Sequence, residues 1–143
     1  MKFLQTLRTQ VKTDLTSLGQ VLSWFEQVDR PIVPHPVWLQ CQIALAEAFT
    51  NVVRYAHRGK PQETPIEIEV TVGNQSLEIR IWDYGTDFDL ENFLKKKPHA
   101  GEYDEGGRGL HLMEKVADVL KYFRTDDQRN CLLIIKKLSS ATS

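Results

Sequence analysis

The chain has 143 residues, 41% of them hydrophobic, enough for one globular domain over residues 1–143 with a proper core and too few for a second. Lys plus Arg number 18 against 19 for Asp plus Glu, so the basic excess that draws proteins to nucleic acid is missing. No apolar run reaches the roughly 20 residues of a membrane span, and the N-terminal MKFLQTLRTQ lacks the apolar block and small-residue cleavage site of a secretory signal, so a cytoplasmic protein is expected.

Residues 2 to 8, KFLQTLR, allow a short strand. From Asp14 to Val28, Leu15, Leu18, Leu22 and Phe25 recur at three and four, the spacing of an amphipathic helix, with Thr13 or Asp14 as its cap. Arg30 to Pro36, RPIVPHP, is a connector, because its prolines remove donors and fix the backbone; Pro36 fits the first turn of the helix that follows. That helix spans Leu39 to His57, LQCQIALAEAFTNVVRYAH. At about 100° per residue, Cys41, Leu45, Phe49, Val52, Val53 and Ala56 fall on one side, and Gln40, Ala44, Glu47, Asn51 and Arg54 on the other.

After the polar loop RGKPQETP, Ile66, Ile68, Val70 and Val72 alternate with Glu67, Glu69 and Thr71, the pattern of a half-buried strand. Gly73 to Ser76 turns the chain into a second arm, in which Leu77, Ile79 and Ile81 alternate with polar residues and Trp82 before Asp83. A short helix is predicted over Leu90 to Leu94, followed by the mobile loop KKKPHAGEYDEGGRG, which has no periodicity. Gly109 to Val119 reads as a helix with Leu110, Met113, Val116 and Ala117 inward, and Leu120 to Thr125 and Cys131 to Leu138 as a final hairpin. Cys41 and Cys131 have no partner at ligand spacing and read as buried, reduced thiols. The order of elements predicts an α/β (α+β) fold, a two-layer sandwich of a mixed, largely antiparallel sheet with helices on one face.

Three signals in this layout carry chemistry. Glu47 and Asn51 stand one helical turn apart, so a carboxylate and a neutral oxygen ligand reach one point in space. Magnesium takes oxygen ligands and keeps several waters, so an amide oxygen together with substrate phosphates suits it and leaves the carboxylate to act as a base; a solvated polar helix face would show the same two residues. Asp83, at a strand end before Tyr84 and Gly85, is placed to accept from an exocyclic amine, which favours adenine over guanine, while Gly85 lets a flat base approach the backbone. Gly106, Gly107 and Gly109, around Arg108 and before Leu110, open a helix whose first amides point at anionic oxygens, a cradle for phosphates. Arg108 and Lys95 to Lys97 add positive charge or form a solvated lid.

In this order the motifs resemble those of the histidine-kinase-like ATPase superfamily, also called GHKL: an N box EAFTNVVRYAH (Glu47 to His57), an adenine motif DYG (Asp83 to Gly85) and a glycine-rich lid EGGRGLHLMEKVAD (Glu105 to Asp118). The chain looks most like the bacterial anti-sigma-factor serine/threonine kinases. The resemblance implies a Bergerat-type ATP-binding fold that takes ATP with magnesium. Asn51 would ligate the metal, Glu47 would activate the attacking hydroxyl, and Asp83, Gly85, Gly106, Gly107, Arg108, Gly109 and Leu110 would hold the nucleotide. It further implies a serine on an anti-sigma-factor antagonist as substrate, a sigma factor as second partner, and a homodimer. Two positions depart from the family pattern. Asp87 stands where many members have a second glycine, which would change the base-edge contact, and Asn130-Cys131 stands where a Gly-Thr pair often touches adenine, which would weaken it. His57 reads as a helix-end hydrogen-bonding group, and His35, His99 and His111 have no metal spacing. Two alternatives remain: a nucleotide-dependent partner-switching module without kinase activity, and the ATP-binding fragment of a sensor histidine kinase. The second is disfavoured because no phosphoacceptor helix pair precedes the domain.

Overall fold

The computed structural model describes residues 3–28, 32–95 and 105–138. Strand β1, Phe3–Lys12, is longer than its sequence advertises. Leu7 and Val11 face the core, but Gln5 and Thr9 share that side, so only two apolar residues mark the alternation. Asp14 then caps a 3-10 turn, Leu15–Ser17, accepting from the Thr16 amide at 3.0 Å. Helix α1 follows over Leu18–Phe25 and stops short of Val28. It buries Val21 and Phe25, whereas Leu15, on the tighter 3-10 turn, falls off the inner face and is 40% exposed.

Helix α2, His35–Asn51, begins four residues before the predicted Leu39, so His35 and Pro36 belong to the helix rather than to the connector; Pro34 stands at its cap, and Pro36 fits the first turn because a missing amide costs nothing there. A single π-helical turn, Val52–Ala56, continues it, closed by a 2.8 Å bond from the His57 amide to the Val52 carbonyl. The buried set is broader than the one-sided stripe expected: Trp38, Cys41, Ala44, Leu45, Ala48 and Phe49 are all inside. Ala44, assigned to the polar side, is fully buried because α2 has neighbours on both flanks, α1 and the glycine-led helix α4 described below.

Strands β2, Pro65–Gly73, and β3, Ser76–Asp83, form the predicted hairpin, with Ile66, Ile68, Val70, Val72, Leu77, Ile79 and Ile81 all fully buried. A short helix, α3, occupies Leu90–Lys95. Helix α4 runs Glu105–Val116, and strands β4, Val119–Arg124, and β5, Asn130–Lys137, close the fold. Two expectations are corrected here. The helix starts at Glu105 rather than Gly109, so Gly106, Gly107 and Arg108 lie inside its first turn instead of in a loop before it; glycine's poor helix propensity had suggested otherwise. Val119 belongs to β4, not to the helix. The rest of the predicted mobile loop, residues 96–104, lies outside the described residues.

The sheet order is β1-β2-β3-β5-β4, and every pair is antiparallel, so the sheet is not mixed. Helices α1, α2 and α4 share one core with the inward side chains of β2, β3 and β5, forming a two-layer sandwich. No helix among the described residues is long and apolar enough to cross a membrane. The crossover that inserts β5 between β3 and β4 sets Asp83 opposite Asn130, and Tyr122 opposite Leu132, at one end of the core-facing side.

Candidate functional site

Asp83 ends β3 with 2% of its surface exposed, and three donors hold its carboxylate. Oδ1 accepts from the Gly85 amide at 2.7 Å and from Asn130 Nδ2 at 3.1 Å; Oδ2 accepts from the Tyr122 hydroxyl at 2.8 Å. Burial first, then the charge of Asp83, pushes the Tyr122 phenol well above its ordinary range, so it remains a donor. Asn130 Nδ2 also donates to the carbonyls of Gly85 at 2.9 Å and Thr86 at 3.2 Å, and Arg124 donates to the Gly85 carbonyl at 3.1 Å. The backbone after Asp83 is therefore clamped by β4 and β5. Gly85 sits so close to the end of α2 that a Cβ there would lie 3.0 Å from both the Cβ and the carbonyl oxygen of Ala56.

His57, 1% exposed, holds the same turn from the other side. Its Nε2 accepts from the Tyr84 amide at 2.8 Å, and its Nδ1 lies 2.8 Å from Thr13 Oγ1. Thr13 spends its proton on the Thr64 carbonyl at 2.7 Å, so Nδ1 must be the donor and the ring is the neutral Nδ1-H tautomer. Burial pushes the His57 pKa below its ordinary value, against the opposing pull of Asp83. His57 is thus a hydrogen-bonding group at the helix end.

A cavity of about 280 Å³ opens beside Asp83, walled by Ala48, Asn51, Val52, Phe88, Leu110 and Tyr122 among others. Its mouth is aromatic, with ring centroids 6.3 Å apart for Phe88 and Tyr122 and 5.7 Å for Phe88 and Phe93. It is mostly apolar with a few convergent polar groups, the usual character of a small-molecule site. A second, more polar cavity of about 560 Å³ adjoins it through Asn51 and Tyr55, lined by Glu47, Arg54, Arg108, Gly109 and Lys115. One cavity suits a flat heterocycle, and the other, with its cations and the N-terminal part of α4, suits an anionic tail.

Glu47 and Asn51 meet Gly109 where the cavities join. A Cβ on Gly109 would stand 2.7 Å from Glu47 Oε2 and 3.4 Å from Asn51 Nδ2, a cradle that only glycine leaves open. Asn51 Nδ2 is buried and has no hydrogen-bond partner among the described residues. An orphaned amide beside a carboxylate fits a site completed by phosphate oxygens and a hard cation, whichever end of the amide faces them.

Of the residues singled out in the sequence, Glu47, Asn51, Arg108 and Gly109 come together around the polar cavity, and Asn51, Asp83 and Leu110 around the apolar one. Gly85 braces Asp83. Gly106 and Gly107 occupy the first turn of α4, just ahead of Arg108. Lys95 ends α3, and residues 96 and 97 lie outside the described residues. Asp87 is exposed, and it is Thr86 and Phe88, on either side of it, that line the cavity. Tyr122 and Arg124 carried no signal in the sequence, and Asn130 stood out there only as a departure from the family's Gly-Thr pair. Its amide is an integral part of the Asp83 clamp, a role foreshadowed only by a polar residue opening the apolar run NCLLII.

A family model described as the histidine kinase-like ATPase domain matches residues 11–136. The chain is 33% identical over 127 residues to the serine-protein kinase RsbW of Listeria monocytogenes, covering 82% of this chain and 78% of that one. In fold it is similar to the SiaB-SiaC complex from Pseudomonas aeruginosa, with a TM-score of 0.53 at 10% identity over 94% of this chain and 90% of that one. It is also similar to the histidine kinase AdeS of Acinetobacter baumannii, with a TM-score of 0.51 at 18% identity over 96% of this chain and 70% of that one.

Proposed function

The chain belongs to the histidine kinase-like ATPase family, and from that membership we propose that it binds ATP with magnesium and transfers the terminal phosphoryl group to a serine or threonine of an anti-sigma-factor antagonist. Its similarity to the RsbW serine-protein kinase supports the choice of a hydroxyl acceptor. In the same reading the unphosphorylated antagonist and a sigma factor compete for the chain, which works in the cytoplasm as a homodimer.

The observation that carries the proposal is the meeting of Glu47, the orphaned Asn51 amide and the Gly109 backbone at the junction of the two cavities. Asp83, braced by the Gly85 amide, takes the adenine amine; Leu110 packs beside the nucleoside. Arg108 and the amides opening α4 at Gly106, Gly107 and Gly109 receive the phosphates, and Asn51 holds the metal. Magnesium supplies charge neutralisation on the phosphates when bound. Glu47 orients the acceptor hydroxyl and takes its proton as the oxygen bonds to the terminal phosphorus. The bond from that phosphorus to the bridging oxygen breaks, and ADP leaves.

Calorimetric titration tests the first half: ATP with magnesium binds, and Asp83→Asn weakens it by about 1–3 kcal/mol, whereas no binding to the folded protein at millimolar ATP sinks the reading. Transfer of labelled phosphate to candidate antagonists, run beside a pull-down, tests the second. Glu47→Ala should lower transfer by about 10²–10⁴-fold while sparing ATP binding and capture, and Asn51→Ala should damage nucleotide binding too. A Glu47→Ala protein that transfers at the unaltered rate, or an unsubstituted protein that captures but never transfers, favours a partner-switching module without kinase activity.

A further inference from the structure

The hydroxyl of Tyr122 is a polar group on the cavity wall, in contact with Asp83, that neither the sequence motifs nor the proposed transfer explains. It donates to Asp83 Oδ2 at 2.8 Å, and Asp83 and Tyr122 both line the apolar cavity. A carboxylate offers about four accepting positions. Two on Oδ1 are taken by Gly85 N and Asn130 Nδ2, and one on Oδ2 by the phenol, which leaves one. The neighbouring donors are equally committed: Asn130 Nδ2 is shared among Asp83, Gly85 and Thr86, and the Tyr84 amide faces His57. A phenol has a single proton, and this one is spent on Asp83, so the oxygen of Tyr122 faces the cavity only as an acceptor. Beside Asp83 Oδ2 the cavity therefore presents two acceptor oxygens, that of the carboxylate and that of the phenol.

We propose that Tyr122 is a specificity-determining residue of the nucleotide site, excluding 6-oxopurines by occupying with a one-proton hydroxyl the place beside Asp83 that a two-proton water would otherwise fill. The proposal rests on the ATP reading above. A water at that position could give one proton to Oδ2 and the other to the keto oxygen of hypoxanthine or guanine, making the wrong base acceptable. The phenol has nothing left to give, so a keto oxygen meets two acceptors and remains unpaired, while the amine of adenine donates to the vacant position on Oδ2. Selectivity arises because the unwanted ligand leaves polar groups unsatisfied. The Tyr122 ring, held edge-on by Phe88 at 6.3 Å, keeps the hydroxyl in register.

The test compares ATP and ITP, each with magnesium, by calorimetry on the unsubstituted protein and on Tyr122→Phe. The ring stays, the oxygen goes, and water from the cavity can enter. The preference for ATP over ITP should fall by about tenfold, the equivalent of one hydrogen bond, chiefly because ITP binds more tightly. Damage to the fold would instead weaken both nucleotides together. An unchanged ratio in Tyr122→Phe, or a lower ratio produced only by weaker ATP, overturns the proposal and leaves the ATP reading intact. Failure of the unsubstituted protein to bind ATP overturns both, and equal binding of ATP and ITP by the unsubstituted protein overturns the proposal whether or not the variant folds.

Discussion

His57 shows how a single protonation state supports the site without entering the chemistry. Its neutral ring links Thr13, ahead of α1, to the Tyr84 amide in the adenine motif, at 2.8 Å on each side. Because burial lowers its pKa in the folded protein, the unfolded chain takes up a proton near pH 6.5 while the folded one does not. The contribution to stability is therefore complete above about pH 6.5 and is lost as pH falls from there toward the folded-state value, with a slope of at most about 1.4 kcal/mol per unit. Urea unfolding between pH 7.5 and 5.5 should show that loss, and His57→Gln should flatten it; identical slopes in both proteins would refute the assignment. The carboxylates with lowered values, Asp14 and Asp127, act at lower pH, below about 3.8, and do not confuse the window. At this scale the sequence was legible where a residue's chemistry is announced by its neighbours. Asp83 before Tyr-Gly and Asn51 one turn after Glu47 were singled out and do line the cavities, and the thiols of Cys41 and Cys131, pushed up to about 12 and about 11 by burial, are free and buried as expected. Tyr122 was not found, because in LKYFRT it reads as one more strand aromatic.

Among the elements, α2 was the most legible and α4 the least, for opposite reasons. α2 carries a long apolar periodicity and Pro36 in its first turn, which made its existence plain although its start at His35 was hidden in the proline-rich connector. α4 opens with Glu105-Gly106-Gly107-Arg108-Gly109, and no propensity scale starts a helix there; its place is set by packing against α2. Gly109 makes the trade visible. Alanine is favoured over glycine by up to about 1 kcal/mol in a helix interior, yet the new Cβ would stand 2.7 Å from Glu47 Oε2. That oxygen is the free end of a flexible side chain and can swing away, so the backbone need not move. Gly109→Ala should therefore unfold within a few degrees of the unsubstituted protein and yet transfer phosphate at least tenfold more slowly, because the displaced carboxylate no longer meets the acceptor hydroxyl. A variant with both stability and transfer unchanged would show that Glu47 acts from some other position.

Over the whole molecule, the site exists only because the sheet places distant strands side by side. Both hairpins were readable from their alternation, but nothing in the sequence states that β5 lies between β3 and β4, and that order brings Asn130 and Tyr122, 47 and 39 residues away along the chain, onto Asp83. Helices α2 and α4 close the other side, so a nucleotide would touch the sheet, the central helix and the glycine-led helix at once. A ligand held by elements that separate on unfolding stabilises the native state by RT ln(1 + [L]/Kd), about 2.7 kcal/mol at a hundredfold excess over Kd. For a domain of this size that corresponds to a rise in Tm of roughly 10 °C. Thermal unfolding with ATP and magnesium should show a rise of that order, with ATP and a chelator a smaller one, and with magnesium alone almost none. The difference between the first two belongs to the metal, and Asn51 is the residue assigned to hold it. In Asn51→Ala, ATP should stabilise equally with magnesium or with chelator, whereas in Asp83→Asn the whole nucleotide effect should shrink while its dependence on magnesium persists. If Asn51→Ala kept the full magnesium-dependent rise, the metal would have to be held elsewhere, and the orphaned amide beside Glu47 would need another ligand to account for it.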